Sequence, residues 1–282
     1  MKKVLILGGT GDAVLLAQKA AQIPGIEVIS SLAGRTENPI VPATRVGGFG
    51  GAVGLANYLQ SNQINFLIDA THPFAAKISH NAVLAAEKVG ISHLMLIRPA
   101  WEKVAGDSWI EVESNEIAAT VLPGLAKRVF LTIGRQELAT FAHIQDIWFL
   151  MRAIDPPEPD ILIPLGELLL ARGPFTLSAE LDLLIKHKIE AIVSKNSGGD
   201  ATYAKIVAAR ESGIPVVMVQ RPLFPAGEKV PDVESALLWL RNRLSHHQDL
   251  RTTNEKPTIS TPEDPPKSPG LFHSLKQVKL QG

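Results

Sequence analysis

The chain has 282 residues, of which 45% are hydrophobic and only 5% aromatic. This length exceeds that of a usual single α/β domain and favours two compact units with aliphatic cores. Lys plus Arg and Asp plus Glu number 28 each, so no overall charge attracts nucleic acid or an anionic membrane. The absence of cysteine excludes disulfides, thiolate metal sites and cysteine nucleophiles. No histidine spacing indicates a metal site either.

The N-terminal apolar run is short. Residues 4–7 are followed directly by the polar, glycine-rich segment 8–12, which predicts a first β-strand and not a signal peptide. No run of about 18 apolar residues indicates a transmembrane helix. We therefore expect a cytoplasmic protein with no membrane partner.

Short β-branched runs alternate with amphipathic segments in the first half, which is typical of βαβ units and a parallel sheet. The predicted strands are residues 3–7, 27–31, 66–69 and 93–97, and the predicted helices are 11–22, 51–62 and 74–89. Prolines and glycines between residues 39 and 51 predict a loop with one short strand at most, placed to close over a ligand.

The alternation weakens between residues 100 and 126 and then resumes. The predicted strands are 128–133, 148–153, 167–171, 191–194 and 215–219, and the predicted helices are 135–142, 176–187, 201–212 and 233–244. We predict an α/β fold with two Rossmann-like domains, mainly parallel sheets and a ligand cleft between them. The domains are residues 1–125 and 126–245, and the polar composition of 246–282 predicts a disordered tail.

A glycine-rich segment, Gly8-Gly9-Thr10-Gly11-Asp12, follows the first strand and opens the first helix. Backbone N–H groups at such a helix start can bind a phosphate. Gly9 and Gly11 fit the G-x-G-x-x-G pattern, but Val14 occupies the place of the third glycine. A tight strand-to-helix turn without a ligand is the alternative.

The end of the second strand bears on the choice of nicotinamide cofactor. An NAD site usually has an acidic residue there for the ribose 2′-hydroxyl, and none is present in segment 30–35. Ser31 and Arg35 suit a 2′-phosphate instead, which favours NADPH. The alternative for Arg35 is a solvent-exposed loop residue.

Positive charges follow the predicted strands, at the edge where parallel sheets bind ligands. The six residues are Arg35, Arg98, Arg135, Arg172, Lys195 and Arg221. In a chain without net charge, this pattern predicts a polyanionic ligand.

Two polar loops lie at the same predicted edge, one around Thr71 and one over residues 195–199. Their hydroxyl and N–H groups could bind phosphate or carboxylate oxygens, and helix capping is the alternative. His72, with Asp69 placed to orient it, could act as an acid or a ligand near neutral pH. A purely structural histidine is the alternative.

Taken together, these segments resemble the precorrin-6A reductase family of corrin-ring biosynthesis, over about residues 2–245. The matching segments are 8–11, 31–35, 48–51, 69–75, 98–101, 132–136, 171–175, 195–199 and 221–222. Their order and spacing make the match specific, although each segment alone is weak. One departure is Asp12, where the family is expected to have glutamate, and this leaves its ligand contact open.

The resemblance implies a reductase that passes a hydride from a nicotinamide dinucleotide to a double bond of precorrin-6A or cobalt-precorrin-6A in cobalamin biosynthesis. The implied cofactor is NADPH, with NADH as the other option. The implied partner is a carboxylate-rich macrocycle, not nucleic acid. We expect a monomer or weak homo-oligomer, with transient contacts to other corrin-pathway enzymes.

Three groups of site residues follow from these observations. Cofactor binding is predicted for Gly8, Gly9, Thr10, Gly11, Asp12, Ser31, Arg35, Thr71, Gly134, Lys195, Asn196, Ser197 and Gly198. Substrate binding is predicted for Arg98, Arg135, Arg172 and Arg221. The proton donor is left open among His72, Tyr203 and bound water.

Two other functions compete with this reading. A short-chain or epimerase-like NADP oxidoreductase needs a Tyr-x-x-x-Lys pair, but Tyr58 and Tyr203 are followed four positions later by Asn62 and Val207. A nucleotide- or tetrapyrrole-binding protein without catalysis is the second alternative.

Overall fold

The computed structural model describes residues 1–32 and 44–252, the last seven of these without their side chains. Residues Met1–Leu240 form one compact unit, and Arg241–Gly282 form a second. Of the second unit, the structure describes only the end of the last helix. The predicted disordered tail begins at residue 246, but residues 246–252 belong to the last helix. Residues 253–282 of that tail and the predicted cofactor residue Arg35 lie outside the described residues.

The described elements alternate along the chain. The strands are β1 (Lys2–Leu7), β2 (Ile26–Leu32), β3 (Thr44–Val46), β4 (Phe66–Asp69), β5 (Ser92–Leu96), β6 (Trp109–Val112), β7 (Arg128–Thr132), β8 (Trp148–Ala153), β9 (Gly166–Leu170), β10 (Ala191–Lys195), β11 (Val216–Val219) and β12 (Lys229–Val230). The α-helices are α1 (Gly11–Ala20), α2 (Gly51–Ser61), α3 (Ala76–Val89), α4 (Asn115–Val121), α5 (Leu177–Lys186), α6 (Ala204–Glu211) and α7 (Val233–Thr252). Two 3₁₀ helices cover Leu122–Gly124 and Arg135–Phe141.

The strands form two six-stranded sheets, with the orders β3-β2-β1-β4-β5-β12 and β9-β8-β7-β10-β11-β6. Neighbouring strands in both sheets are parallel. This confirms the predicted α/β class with two Rossmann-like sheets. Each order reverses once, between β1 and β4 and between β7 and β10, and such a reversal opens a crevice at the carboxyl ends of the strands.

Each sheet takes its outer strand from the other half of the chain. β12 pairs with β5 through Lys229 and Met95, and β6 pairs with β11 through Trp109 and Val216. The domain boundary between residues 125 and 126 remains a prediction. It separates the strands of the first sheet from those of the second, except for β6 and β12.

The central strands are buried on both faces, which accounts for their continuous Val, Ile and Leu runs. All four residues of β4 and of β11 are buried. Small residues of α3, such as Ala82 and Ala85, pack with Leu55 of α2 against Leu5 and Leu67. Alanine on the inner face lets the helices lie close to the sheet, and each fully buried leucine contributes about 2 kcal/mol.

Several elements differ from the sequence prediction. The helix predicted at 135–142 is a 3₁₀ helix, and β6, α4 and β12 were not predicted. α7 runs to Thr252, beyond the predicted end at residue 244. None of the seven α-helices in the described part of the chain has the length and hydropathy of a membrane span.

Candidate functional site

The carboxyl ends of β1, β2 and β4 enclose a cavity of about 220 Å³. Five of its lining residues were predicted from the sequence as site residues: Gly8, Gly9, Ser31, Thr71 and His72. The others are Leu7, Gly47, Gly48, Phe49, Ala75 and Ile78. The cavity lies beside the strand-order reversal of the first sheet, where Rossmann folds bind nucleotides.

The glycine-rich turn between β1 and α1 forms one wall of this cavity. Gly9 has a φ of +115°, a conformation that residues with a side chain rarely adopt. A methyl group at Gly9 or Gly11 would meet no other atom within 4 Å. This open space before a helix N-terminus fits the phosphates of a dinucleotide.

Thr10 closes the start of α1. Its Oγ1 accepts a hydrogen bond from the Ala13 N–H at 3.1 Å and donates to the Ala70 carbonyl at 2.9 Å. The hydroxyl therefore caps the helix and ties the turn after β1 to the turn after β4. Its predicted cofactor contact would have to come from its backbone.

Asp12 and Arg98 join the glycine-rich turn to the second sheet. Arg98 Nη1 lies 2.9 Å from Asp12 Oδ2, and Arg98 Nε donates to the Ser197 carbonyl at 2.9 Å. Asp12 lies in the first turn of α1, and Ser197 follows β10. One arginine therefore fixes the ends of both sheets relative to each other.

Arg221 binds the backbone of the same region. Its Nε donates to the Asn196 carbonyl at 2.7 Å, and its Nη1 and Nη2 donate to the carbonyls of Arg98 and Pro99 at 2.8 and 3.1 Å. A side chain at Gly198 would overlap the Pro99 carbonyl oxygen and lie 2.6 Å from Arg221 Nη2. Burial, and secondarily the charge of Arg98, lowers the pKa of Arg221 to about 10, so it stays charged at neutral pH.

Asn196 pairs with Trp101 across the two loops. The Trp101 N–H donates to Asn196 Oδ1 at 2.8 Å, and Asn196 Nδ2 donates back to the Trp101 carbonyl at 3.1 Å. The Trp101 indole donates to the Gly199 carbonyl at 2.9 Å. These bonds hold the connection after β5 against the loop after β10, and they use the Asn196 side chain.

The remaining predicted cations occupy different surroundings. Lys195 Nζ lies 3.3 Å from Glu137 Oε1 and 5.3 Å from the centre of the Phe74 ring. Arg135 Nη1 donates to the Pro156 carbonyl at 2.8 Å, and Arg172 is exposed. The predicted rim thus divides into an inner group, Arg98, Lys195 and Arg221, and an outer pair.

His72 lies in the positive field of that inner group. Its Nδ1 accepts a hydrogen bond from the Phe74 N–H at 3.2 Å, which leaves the ring proton on Nε2. Burial, together with four positive charges, lowers the pKa of His72 to about 3; the charges are those of Arg98, Lys195, Arg221 and Lys205. The imidazole is therefore neutral at neutral pH in the ligand-free chain.

The neighbouring polar residues have structural partners. Asp69 Oδ1 accepts from the Thr71 N–H at 3.0 Å and from Thr71 Oγ1 at 2.6 Å, which orders the turn before His72. The Tyr203 hydroxyl accepts from Arg210 Nη2 at 3.0 Å.

A buried lysine, Lys205, was missed by the sequence analysis. It is 4% exposed, donates to the Thr202 carbonyl at 2.9 Å and lies 4.8 Å from the centre of a Trp101 ring. Burial lowers its pKa to about 7; Arg152 acts in the same direction and Glu180 opposes it. No spacing signal could have found it, because its burial depends on how α6 packs against Trp101.

Comparison with known proteins identifies one family. The family described as precorrin-6x reductase CbiJ/CobK matches residues 3–241. A precorrin-6A reductase from Rhodococcus erythropolis is 49% identical over 243 residues, covering 85% of this chain and 98% of that protein. A cobalt-precorrin-6A reductase from Salmonella typhimurium is 28% identical, covering 78% and 87%. A solved structure titled CobK precorrin-6A reductase has a TM-score of 0.80 and 40% identity, covering 86% and 97%.

Proposed function

Since the chain belongs to the precorrin-6x reductase family, we propose that it transfers a hydride from NAD(P)H to a double bond of the precorrin-6A macrocycle in cobalamin biosynthesis. The observation that carries the proposal is the pairing of a glycine-lined cavity with the inner cationic group. When bound, the nicotinamide nucleotide supplies the hydride, so the protein needs to contribute binding, orientation and a proton.

The cavity side of the site would hold the cofactor. The backbone around Gly9 and Gly11 faces open space at the N-terminus of α1, which suits the pyrophosphate. Ser31 lies in the cavity wall at the end of β2, where the adenosine ribose is expected. The further cofactor contacts predicted at Gly134, Lys195, Asn196, Ser197 and Gly198 remain predictions.

The inner cationic group would attract the substrate carboxylates. Arg98 and Arg221 already donate to backbone carbonyls, so we propose that they contribute positive potential and hold the two loops. Lys195 adds an ammonium group, which is paired with Glu137 in the ligand-free chain. Arg135 and Arg172 lie further out, where they could meet the acidic side chains of a wide macrocycle.

We propose His72 as the proton donor, on condition that the bound substrate raises its pKa. His72 carries no extra proton at neutral pH, because burial and the four surrounding cations oppose protonation. Carboxylates of a bound substrate would offset those cations and raise its pKa. Bound water and Tyr203 remain the alternatives.

We propose that the substrate is cobalt-free precorrin-6A. Relatives named precorrin-6A reductase from Rhodococcus erythropolis and Rhodobacter capsulatus are 49% and 41% identical. Relatives named cobalt-precorrin-6A reductase from Priestia megaterium and Salmonella typhimurium are 25% and 28% identical. Comparing turnover of the two pigments, with and without cobalt, tests this choice.

The activity is tested by anaerobic incubation of the purified chain with precorrin-6A and NADPH. We expect the pigment spectrum and the nicotinamide absorbance to change together in a one-to-one ratio. Binding of both molecules without a change in either spectrum would instead support a carrier or sensor.

The cofactor preference is proposed as NADPH over NADH, with Arg35 as a contact to the 2′-phosphate. Comparing KM for the two cofactors in the wild type and Arg35→Ala tests it. The selectivity should fall in the variant, and unchanged selectivity would remove Arg35 from the 2′-phosphate site.

A further inference from the structure

Arg45 is the middle residue of β3 and lies beside the candidate cofactor cavity. β3 pairs in parallel with β2, and Arg45 stands opposite Ser31 in the register. Its Nη1 is 3.5 Å from Ser31 Oγ, and Ser31 lines the cavity. The guanidinium group therefore lies at the end of the second strand.

Arg45 is held in place by the turn that forms the opposite cavity wall. Its Nη1 donates to the Gly47 carbonyl, and its Nη2 donates to the Gly48 carbonyl at 2.7 Å. Its Cζ lies 3.8 Å from the centre of the Phe49 ring and 5.2 Å from that of Tyr58. These contacts fix the guanidinium plane before any ligand binds, which lowers the entropy cost of binding.

Within the described residues, the contacts of Arg45 leave its positive charge uncompensated. Its acceptors are the Gly47 and Gly48 carbonyls and the Ser31 hydroxyl, and these groups and the stacked rings are all neutral. An arginine binds phosphate through a planar fork of N–H donors, and the described hydrogen bonds of Arg45 use Nη1 and Nη2 but not Nε, so its Nε edge can still face an anion. In Rossmann folds the 2′-phosphate of NADP lies near the end of the second strand.

We propose that Arg45 also binds the 2′-phosphate of the cofactor, in addition to the contact proposed for Arg35, and that it contributes to the selectivity for NADPH over NADH. The proposal rests on the proposed use of a nicotinamide cofactor in this cavity. Binding of the phosphate also stabilises the turn at Gly47 and Gly48, because the same side chain contacts both. Arg45 is thus a specificity residue, not a catalytic one.

A purely structural role for Arg45 makes a different prediction. If it only orders the turn, its loss weakens NADP⁺ and NAD⁺ equally, because both dinucleotides share the cavity. If it binds the 2′-phosphate, its loss weakens NADP⁺ selectively. The ratio of the two affinities therefore separates the two roles.

The experiment is calorimetric titration of the full chain with NADP⁺, NAD⁺, adenosine 2′,5′-bisphosphate and 5′-AMP. Arg45→Gln keeps a donor for the carbonyls but removes the charge, whereas Arg45→Lys keeps the charge but removes the fork. Lys88→Ala, at an exposed position in the last turn of α3, is the control for loss of one positive charge.

We expect Arg45→Gln to lower the NADP⁺ to NAD⁺ affinity ratio about ten- to a hundredfold, as for loss of a charged hydrogen bond. Arg45→Lys should lower it less, and Lys88→Ala should leave it unchanged. The bisphosphate and 5′-AMP should follow the same order. Thermal unfolding of each variant checks that the fold is retained.

Equal weakening of both dinucleotides in Arg45→Gln, or a wild type without preference for NADP⁺, would overturn the proposal. Neither result concerns turnover of the macrocycle. Conversely, an intact NADP⁺ preference with no oxidation of NADPH by precorrin-6A would reject the proposed reaction and leave the role of Arg45 standing.

Discussion

His72 is partly buried and Lys205 is buried, and the protein opposes the protonation of both bases. The pKa of His72 is lowered to about 3 and that of Lys205 to about 7, with burial as the largest cause for both. Each positive charge in the inner group also makes it harder to protonate His72. The region is therefore prepared to receive negative charge, which matches a substrate rich in carboxylates.

His72→Gln should reduce the loss of unfolding free energy that occurs as the pH falls below neutral. Between pH 6.5 and 3 the unfolded chain binds a proton on His72 that the folded chain does not. Stability from this group is thus present above pH 6.5 and is lost as the pH falls, by up to about 1.4 kcal/mol per pH unit. Urea unfolding of wild type and variant from pH 7 to 4 measures the difference, and parallel profiles would contradict it.

Lys205→Met should stabilise the chain at neutral pH. Between pH 10.5 and 7 the unfolded state holds a proton that the folded state releases, so the lysine lowers stability increasingly as the pH falls. Removing it should raise the free energy of unfolding by about 1–3 kcal/mol at pH 7 and little at pH 10. A loss of stability at pH 7 would show that its contacts to Thr202 and Trp101 outweigh the cost of burial.

At the scale of elements, the loops after parallel strands carry the site. The rule that ligands bind at strand carboxyl ends led from the sequence to Arg98, Lys195 and Arg221, and the structure places all three in the field around His72. The rule could not predict that Arg98 and Arg221 donate their N–H groups to backbone carbonyls, because such bonds depend on how the loops cross. Arg45 fits the same rule but was missed, since β3 has only three residues.

The sequence pattern was informative where strands are long and buried on both faces, as in β1 and β10. It failed for β6 and β12, which have four and two residues and lie at sheet edges. Their pairing partners are more than 100 residues away along the chain for both strands. A periodicity of two cannot be recognised in such short segments.

The loop after β10 requires glycine at position 198, and this can be tested against another left-handed glycine. Gly198 and Gly213 have φ values of +67° and +66°, but only at Gly198 would a side chain overlap a carbonyl. Gly213→Ala should cost about 1 kcal/mol from backbone strain, and Gly198→Ala about 2 kcal/mol more. If chemical unfolding showed equal losses of unfolding free energy in the two variants, the loop after β10 would have to shift at little cost to accommodate a side chain.

At the scale of the molecule, the two Rossmann-like sheets exchange one edge strand each between the halves of the chain. Arg98 and Arg221 join the loops at their carboxyl ends. Each half of the chain contributes one edge strand to the other half's sheet, β6 to the second sheet and β12 to the first. The cavity lies on the first sheet, and the inner cationic group draws on both. A cofactor held by one sheet and a macrocycle held between loops of both would meet near His72.

Isotope transfer in a single anaerobic turnover tests most directly whether the chain transfers a hydride from the cofactor to the macrocycle. The chain is mixed in ordinary water with precorrin-6A and NADPH that carries deuterium at the transferable position of the nicotinamide ring. We expect a dihydro product that contains one deuterium from the cofactor and one hydrogen from solvent. A reduced product without deuterium, or an unreduced macrocycle beside unoxidised NADPH, would contradict it.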